Sequence, residues 1–380
     1  MTPIGIGMIG CGNMGRAVAH EVAQQSDAVS IRAIFDPDAA AVTATRTLFG
    51  DEFAVADSTE ALVNRDDVDW VMIASWNCFH AEQTIAAFAA GKHVFCQKPL
   101  ATTLEDCLAM RDAWRRSGQQ FVIGFNLRYA PHYRKVRELL DAGVIGDLVS
   151  FEFNETLDFN HGGFIMGDWR RNTRHAGSHL LEKCCHDIDI ANWMTGSRAS
   201  RVASFGGLDF FTADNASALE RVGKTRSGRQ GYQTWRDGAT LNPFTVDKDI
   251  LDNQVIVIEY ENGARATLHL NSNTALPERR LYLCGTEGTL RADLYTGTIE
   301  YRRIGFGTET VRVDSGASDL HGGSDVVLAQ ELIATMQAGD APSTTLDDGL
   351  DAALTCFAID EAQASGQVVR LDEYWAKVDS

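Results

Sequence analysis

The stretch from His179 to Asp189, HLLEKCCHDID, sets Glu182, His186 and Asp189 three and four residues apart. A helix advances about 100° per residue, so these three fall with Trp193 on one narrow stripe. Leu181, Cys184, Ile188 and Ala191 lie on the opposite side. Cys184 therefore reads as a core residue, Cys185 sits at the flank, and Lys183 leans toward the other edge of the polar stripe. An imidazole titrates near neutral pH without tuning, which makes His186 the candidate general base. Glu182, one turn earlier, is placed to hold the imidazole or the substrate. A zinc site needs about four ligands converging tetrahedrally, whereas adjacent cysteines project about 100° apart and no second Cys/His cluster has finger-like spacing, so no metal is expected. A nucleophilic thiol needs an electropositive setting, and the two carboxylates nearby oppose what Lys183 and His186 offer. Alone, this stripe would read as an ordinary solvated helix face. The rest of the chain changes that reading.

The N-terminal run IGIGMIGCGNMGRAVAHEVAQ is an apolar strand that ends in Gly10, Gly12 and Gly15 and passes directly into a helical pattern. In that context Gly10 allows the tight turn, Gly12 lets a pyrophosphate approach the backbone, and Gly15 lets helix and strand pack closely. Asn13 and Met14 open the helix, whose N-terminus favours phosphate. A second strand, SIRAIFD, ends at Asp36, roughly 20 residues after the last glycine, where a carboxylate accepts hydrogen bonds from ribose hydroxyls and repels a 2'-phosphate. NAD is thus favoured over NADP, with Arg32 or Arg46 able to soften the preference. Strands DWVMIAS, HVFCQ and FVIGF alternate with helical segments, the mark of a doubly wound parallel sheet. Ligands bind outside the carboxyl ends of such strands, so Asn77, His80, Gln97, Lys98 and Asn126 are candidates for the cofactor cleft. Lys98, directly after VFCQ, is best placed to stabilise a developing alkoxide or relay its proton.

The 380 residues suffice for two domains with a buried core. A net charge of -18 argues against nucleic acid or an anionic membrane as partner. Neither a signal sequence nor a stretch long enough to span a membrane is apparent. Eight cysteines without repeated spacing read as reduced thiols, consistent with a cytoplasmic protein.

Five segments in order, GMIGCGNMG, AAGKHVFCQKPLA, GFNLRYAP with LLDAGVIGDL, EKCCHDID and LCGTEGTLRAD, resemble the glucose-fructose oxidoreductase, inositol dehydrogenase and rhizopine-catabolism (Gfo/Idh/MocA) family. The resemblance implies a Rossmann domain, residues 1–125, joined to an α/β domain, residues 126–380, with a large, mostly antiparallel open sheet whose face often mediates oligomers. A homo-oligomer, dimer or tetramer, is therefore expected, together with a sugar or cyclitol substrate. Family members carry Glu-Lys-Pro after the fifth strand, with the lysine near the reacting hydroxyl and the nicotinamide. Here the run is Gln97-Lys98-Pro99, and the carboxylate that would tune the lysine is an amide. Many relatives carry Asp-x-x-x-His on the first long helix of the second domain, where Glu182 and His186 now stand, and a further acid at the position of Asp189. A Trp-Arg pair near Trp169 and Arg170 lies by the cofactor or substrate in related proteins.

Arg170, Arg171, Arg174 and His175 cluster just before the helix, against a strongly acidic background. One or two of these arginines could pair with an anionic group on the substrate, as could Lys183; salt bridging within the protein is the equal alternative. Asn126 is a further candidate for substrate contact. The polar segment 210–248 interrupts the expected sheet and reads as a lid, an oligomer contact or a plain excursion. QVIVIEYENGARATLHLN and RLYLCGTEGTLRADL read as hairpins of the second sheet, and LDDGLDAALTCFAIDEAQASG as a closing amphipathic helix. The residues thus point to an NAD-dependent oxidoreductase acting on a secondary hydroxyl, with Lys98, His186 and Glu182 at the reaction. The alternatives are a redox glycoside hydrolase that regenerates NAD in each turnover, and a non-catalytic NAD-binding sensor suggested by Gln97.

Overall fold

The computed structural model describes residues 3–236, 241–315 and 323–379. The chain forms two compact units: Met1–Ala130 with Gly323–Ala353, and Pro131–Gly322 with Leu354–Ser380.

In the first unit β1 (Ile4–Ile9), β2 (Val29–Phe35), β3 (Ala54–Val55), β4 (Trp70–Ile73), β5 (His93–Gln97) and β6 (Phe121–Gly124) pair in the order β3-β2-β1-β4-β5-β6. Every pairing is parallel, which requires crossovers, and helices such as Asn13–Gln25, His80–Ala89 and Leu104–Ser117 supply them. Strands covered on both faces are apolar throughout, and all four residues of Trp70–Ile73 are buried. Val18, Ala19 and Val22 of the helix Asn13–Gln25 share a core with Leu328, Leu332 and Ile333 of the helix Ser324–Ala338. Each buried Val, Leu or Ile side chain among them contributes about 1.5–3 kcal/mol. A division at residues 125 and 126 therefore omits this late return of the chain. Nothing local to residues 13–25 reveals which distant segment will cover them.

In the second unit β7 (Leu148–Asp158), β8 (Ala199–Gly207), β9 (Asn253–Tyr260), β10 (Arg265–Thr274), β11 (Arg280–Gly285), β12 (Gly288–Asp293), β13 (Thr298–Arg303), β14 (Val311–Asp314) and β15 (Val369–Arg370) make one sheet, ordered β14-β13-β12-β11-β7-β10-β9-β8-β15. Among the described strands only β7 and β10 run parallel, and the sheet is otherwise antiparallel. Along β10 Ala266, Leu268 and Leu270 are buried while Arg265, Thr267 and His269 are exposed, the alternation of a sheet with one covered face.

The polar segment 210–248, read as a lid, an oligomer contact or a plain excursion, carries an aromatic core of its own. Phe211, Tyr232 and Phe244 pack with Leu157, Ile165 and Met166 beneath them. The Asp252 carboxylate anchors the entry by accepting from the backbone N–H groups of Asp209, Phe210 and Phe211. Residues 237–240 of this segment lie outside the described residues. Among the described residues no helix is long and apolar enough to cross a membrane.

Candidate active site

The glycine loop sits between the end of β1 and the helix Asn13–Gln25. Gly10 has φ +88, and a Cβ there would lie 2.4 Å from the Ala74 carbonyl carbon. At Gly15 a Cβ would meet the Gly10 carbonyl oxygen at 2.3 Å, whereas at Gly12 it would meet nothing within 4 Å. The first and third glycines are thus required by packing, and the second leaves open space in front of a helix N-terminus that no side chain caps. Asn13 is exposed and its Oδ1 accepts from Arg16 Nη2 at 2.7 Å, while Met14 is half-buried. Asp36 at the end of β2 accepts from the Cys11 N–H at 2.7 Å through Oδ2, and from the Asp38 N–H at 2.8 Å through Oδ1. Each carboxylate oxygen retains a second lone pair for a ribose hydroxyl. These features fit an adenine dinucleotide.

The strand-end residues divide. Lys98 is half-buried after β5, in a cis peptide with Pro99. The Gln97 side chain packs against Gly124, where a Cβ would approach its Oε1 to 2.9 Å. Asn77 is buried, and Asn126 Nδ2 donates to Asp325 Oδ1 at 3.4 Å. His80 is turned fully inward: Nδ1 lies 2.8 Å from the Pro99 carbonyl oxygen and Nε2 lies 3.3 Å from that of Ser75. Burial pushes its pKa down to about 4 against the two carbonyls. A neutral imidazole has one N–H, and the shorter contact takes it. His80 thereby ties the loop after β4 to the loop that carries Lys98.

In the second unit the helix His179–Thr195 begins at Ser178, whose Oγ accepts from the Leu181 N–H. Glu182, His186, Asp187 and Asp189 are all buried, so the polar stripe does not face water. His186 Nδ1 lies 2.8 Å from Asp187 Oδ2. Arg279 grips Asp187 with two hydrogen bonds of 2.8 Å, from Nε and Nη2. The same Nη2 lies 3.2 Å from His186 Nδ1 and 3.4 Å from Nε2. Glu155 on β7 meets Arg279 Nε at 2.7 Å and Lys183 Nζ at 3.0 Å, as ion contacts without hydrogen-bond alignment. Burial works against the Arg279 charge, but Asp187 and Glu155 outweigh it and hold its pKa well above the ordinary value. Two cations and two anions thus form a charge-neutral quartet, of which Asp187 and Arg279 touch the imidazole.

Glu182 is engaged elsewhere than on His186: its Oε1 accepts from Arg170 Nε at 3.0 Å, and Arg170 Nη1 reaches Asp168 Oδ1 at 2.7 Å. The guanidinium carbon of Arg170 lies 4.5 Å from the centre of the Trp169 ring. Of the basic cluster before the helix, Arg170 is therefore matched within the protein, Arg171 donates to the Asp168 and Asp247 carbonyls, and Arg174 is exposed. Cys184 and Cys185 are buried, and burial pushes the Cys184 thiol well above its ordinary pKa, which opposes nucleophilic use. Asp187, Glu155 and Arg279 lie outside the helical stripe that the spacing defines. The adjacency of Asp187 to His186 was the available signal, whereas Glu155 and Arg279 come from sheet positions that no helical periodicity connects to the histidine.

A parallel six-stranded sheet with this glycine loop and terminal aspartate defines an NAD-binding Rossmann fold, and residues 4–125 match the family described as an oxidoreductase family with an NAD-binding Rossmann fold. Residues 133–291 match the GFO/IDH/MocA C-terminal domain. An uncharacterized oxidoreductase of Streptococcus pneumoniae is 30% identical over 296 residues, 77% of this chain and 70% of that protein. An inositol 2-dehydrogenase of Gluconacetobacter diazotrophicus is 38% identical over 197 residues, 50% of this chain and 54% of that protein. Among solved structures, a levoglucosan dehydrogenase in complex with NADH and levoglucosan superposes with a TM-score of 0.79 at 22% identity, covering 98% of this chain and 100% of that one. The chain belongs to the GFO/IDH/MocA family of oxidoreductases.

Proposed function

We propose that the protein oxidises a secondary hydroxyl of a sugar, sugar derivative or cyclitol with NAD, His186 serving as proton acceptor. The observation that carries this reading is the buried His186–Asp187 contact of 2.8 Å, backed by the paired grip of Arg279 on the same carboxylate. A carboxylate at Nδ1 orients the ring, fixes the tautomer with its proton on Nδ1 and stabilises the imidazolium that forms. Nε2 is then the basic atom, and it takes the substrate proton in place of its 3.4 Å contact with Arg279 Nη2. Glu182, held by Arg170 one turn before His186, is the candidate carboxylate to orient the substrate. Lys98, beyond β5 in the cofactor unit, supplies positive charge to the alkoxide that forms as the proton leaves. The loop of Gly10, Gly12 and Gly15 and the Asp36 carboxylate would hold NAD, which would supply the hydride acceptor. The relatives named inositol 2-dehydrogenase and levoglucosan dehydrogenase support a polyhydroxylated ring as substrate.

The test is absorbance at 340 nm with NAD and a panel of cyclitols, free sugars and aryl glycosides. Net NADH formation with a free sugar or cyclitol is expected. Lys98→Ala and His186→Ala should each lower turnover by about 10²- to 10⁴-fold while NAD binding persists. Full activity in either variant removes that residue from the reaction. Aglycone release without accumulation of NADH would replace the dehydrogenase with a redox-neutral glycosidase.

A further inference from the structure

The excursion between β8 and β9 carries two side chains that the reaction above does not use. The Trp235 indole lies parallel to the His161 imidazole, with ring centroids 4.0 Å apart and planes 7° apart. The next residue, Arg236, sets its guanidinium carbon 5.6 Å from the centre of the Phe164 ring, and that of Arg170 lies 5.5 Å from the same ring. His161 and Phe164 are one turn apart on the helix Phe159–Gly167, so the two contacts adjoin. All four side chains, His161, Phe164, Trp235 and Arg236, are half-buried rather than enclosed.

The arginines differ in what answers their charge. Arg170 meets both Asp168 and Glu182. Among the described residues no carboxylate or carbonyl oxygen accepts from the Arg236 guanidinium. Burial, and then the charge of Arg170, lower its pKa against the pull of Asp168. A half-buried guanidinium set over an aromatic ring and near a second cation is held at a cost that a ligand carboxylate removes, and the planar fork suits that group. Beneath Trp235, His161 is kept neutral by burial and by the positive charges of Lys183, Arg170 and Arg279, so the stack presents an uncharged aromatic plane. Such a plane suits the C–H face of a sugar ring. The loop is firmly seated: Tyr232, three residues before Trp235, holds φ at +68 and donates its N–H to Asn160 Oδ1 at 2.8 Å on the same helix. Backbone strain of that kind persists where the surroundings over-determine it, and it clusters at ligand clamps.

We propose that Trp235 and Arg236 form a substrate subsite for an acidic sugar, the indole against the C–H face of the ring and the guanidinium on its carboxylate. This rests on the reading of the chain as a sugar or cyclitol oxidoreductase and narrows its substrate class.

The test pairs D-glucuronate with D-glucose and D-galacturonate with D-galactose. Each is measured by initial rate at 340 nm with NAD, and by calorimetric binding to the full chain loaded with NADH. The proteins compared are the wild type, Arg236→Gln, Arg236→Lys and Trp235→Ala. The wild type should prefer the acid in kcat/KM. Arg236→Gln should shrink that preference about 10- to 100-fold, chiefly through KM, as expected for loss of a charge-assisted pair. Arg236→Lys should recover part of it, and Trp235→Ala should raise KM for both members of a pair. A wild-type preference for the neutral sugars, or an acid preference indifferent to Arg236→Gln, overturns the subsite and leaves the dehydrogenase standing. Arg236-dependent binding of an acid that is never oxidised supports the subsite and removes the dehydrogenase. An acid that neither binds nor reacts overturns the subsite.

Discussion

Neutrality of the quartet beside His186 makes a quantitative prediction. Glu155, Asp187 and Arg279 are 0%, 4% and 4% exposed, and with the half-buried Lys183 their four charges sum to zero. Asp187→Asn leaves one positive charge unmatched, and Arg279→Met leaves one negative charge unmatched. Removing one partner of a buried pair costs about 3–5 kcal/mol, because the remaining charge stays buried. At about 2–4 °C per kcal/mol for a unit of this size, each single variant should lower Tm by about 6–20 °C. The double variant restores neutrality through the Glu155–Lys183 contact of 3.0 Å. It should therefore be more stable than the sum of the singles implies by about 2 kcal/mol or more. Thermal unfolding of the wild type and three variants at pH 7 measures this directly, and additivity within about 0.5 kcal/mol would refute the charge-neutral quartet. Asp187→Asn assayed below its Tm should also lose about 10²- to 10⁴-fold in turnover, since His186 loses the carboxylate that stabilises its protonated form. Full turnover would show that His186 is not a base oriented by Asp187.

The glycine loop separates folding from binding. Gly15→Ala, whose Cβ would lie 2.3 Å from the Gly10 oxygen, should lower Tm. Gly12→Ala, with open space at that position, should fold normally and weaken NAD about tenfold or more, equivalent to ~1.4 kcal/mol. Exchanged behaviour in melting and NADH titration would contradict the assigned roles. Asp360 supplies a pH signature, since burial raises its carboxyl from 3.8 to about 7, opposed by a hydrogen bond from Ser178. The folded state therefore holds a proton that the unfolded chain releases, and stability falls as pH rises from about 4 to about 7, by on the order of 4 kcal/mol in full. Asp360→Asn should match the wild type near pH 4 and exceed it increasingly up to pH 8, whereas a pH-independent offset in Tm would sink this reading.

Much of the first unit was legible because its signals are local. A glycine loop, an aspartate at the next strand end and apolar strands between helical segments are read within short windows, and each element forms as its own pattern dictates. The second unit was legible in outline only. Helical spacing grouped Glu182, His186 and Asp189 on one stripe, yet the buried carboxylate beside the imidazole belongs to Asp187. Strand-end placement made His80 a cofactor candidate, while its ring in fact faces the Ser75 and Pro99 carbonyls. The arginines before the helix suggested an anion site, but Asp168 and Glu182 take up Arg170, whereas among the described residues no carboxylate pairs with Arg236, in the segment that read as a lid, an oligomer contact or a plain excursion.

Backbone conformation and burial pattern follow from neighbours a few residues apart, so the linear order of residues by itself determined the Rossmann unit, the antiparallel hairpins and the identity of a cofactor-dependent oxidoreductase. Which charges meet depends on packing across long separations: Asp187 with Arg279, 92 residues on, Glu155 with Lys183 across a strand and a helix, and the helix Ser324–Ala338 beneath the glycine-loop helix. Those pairings were decided only in the tertiary structure, because burial selects partners by distance in space and by the high cost of leaving a charge alone.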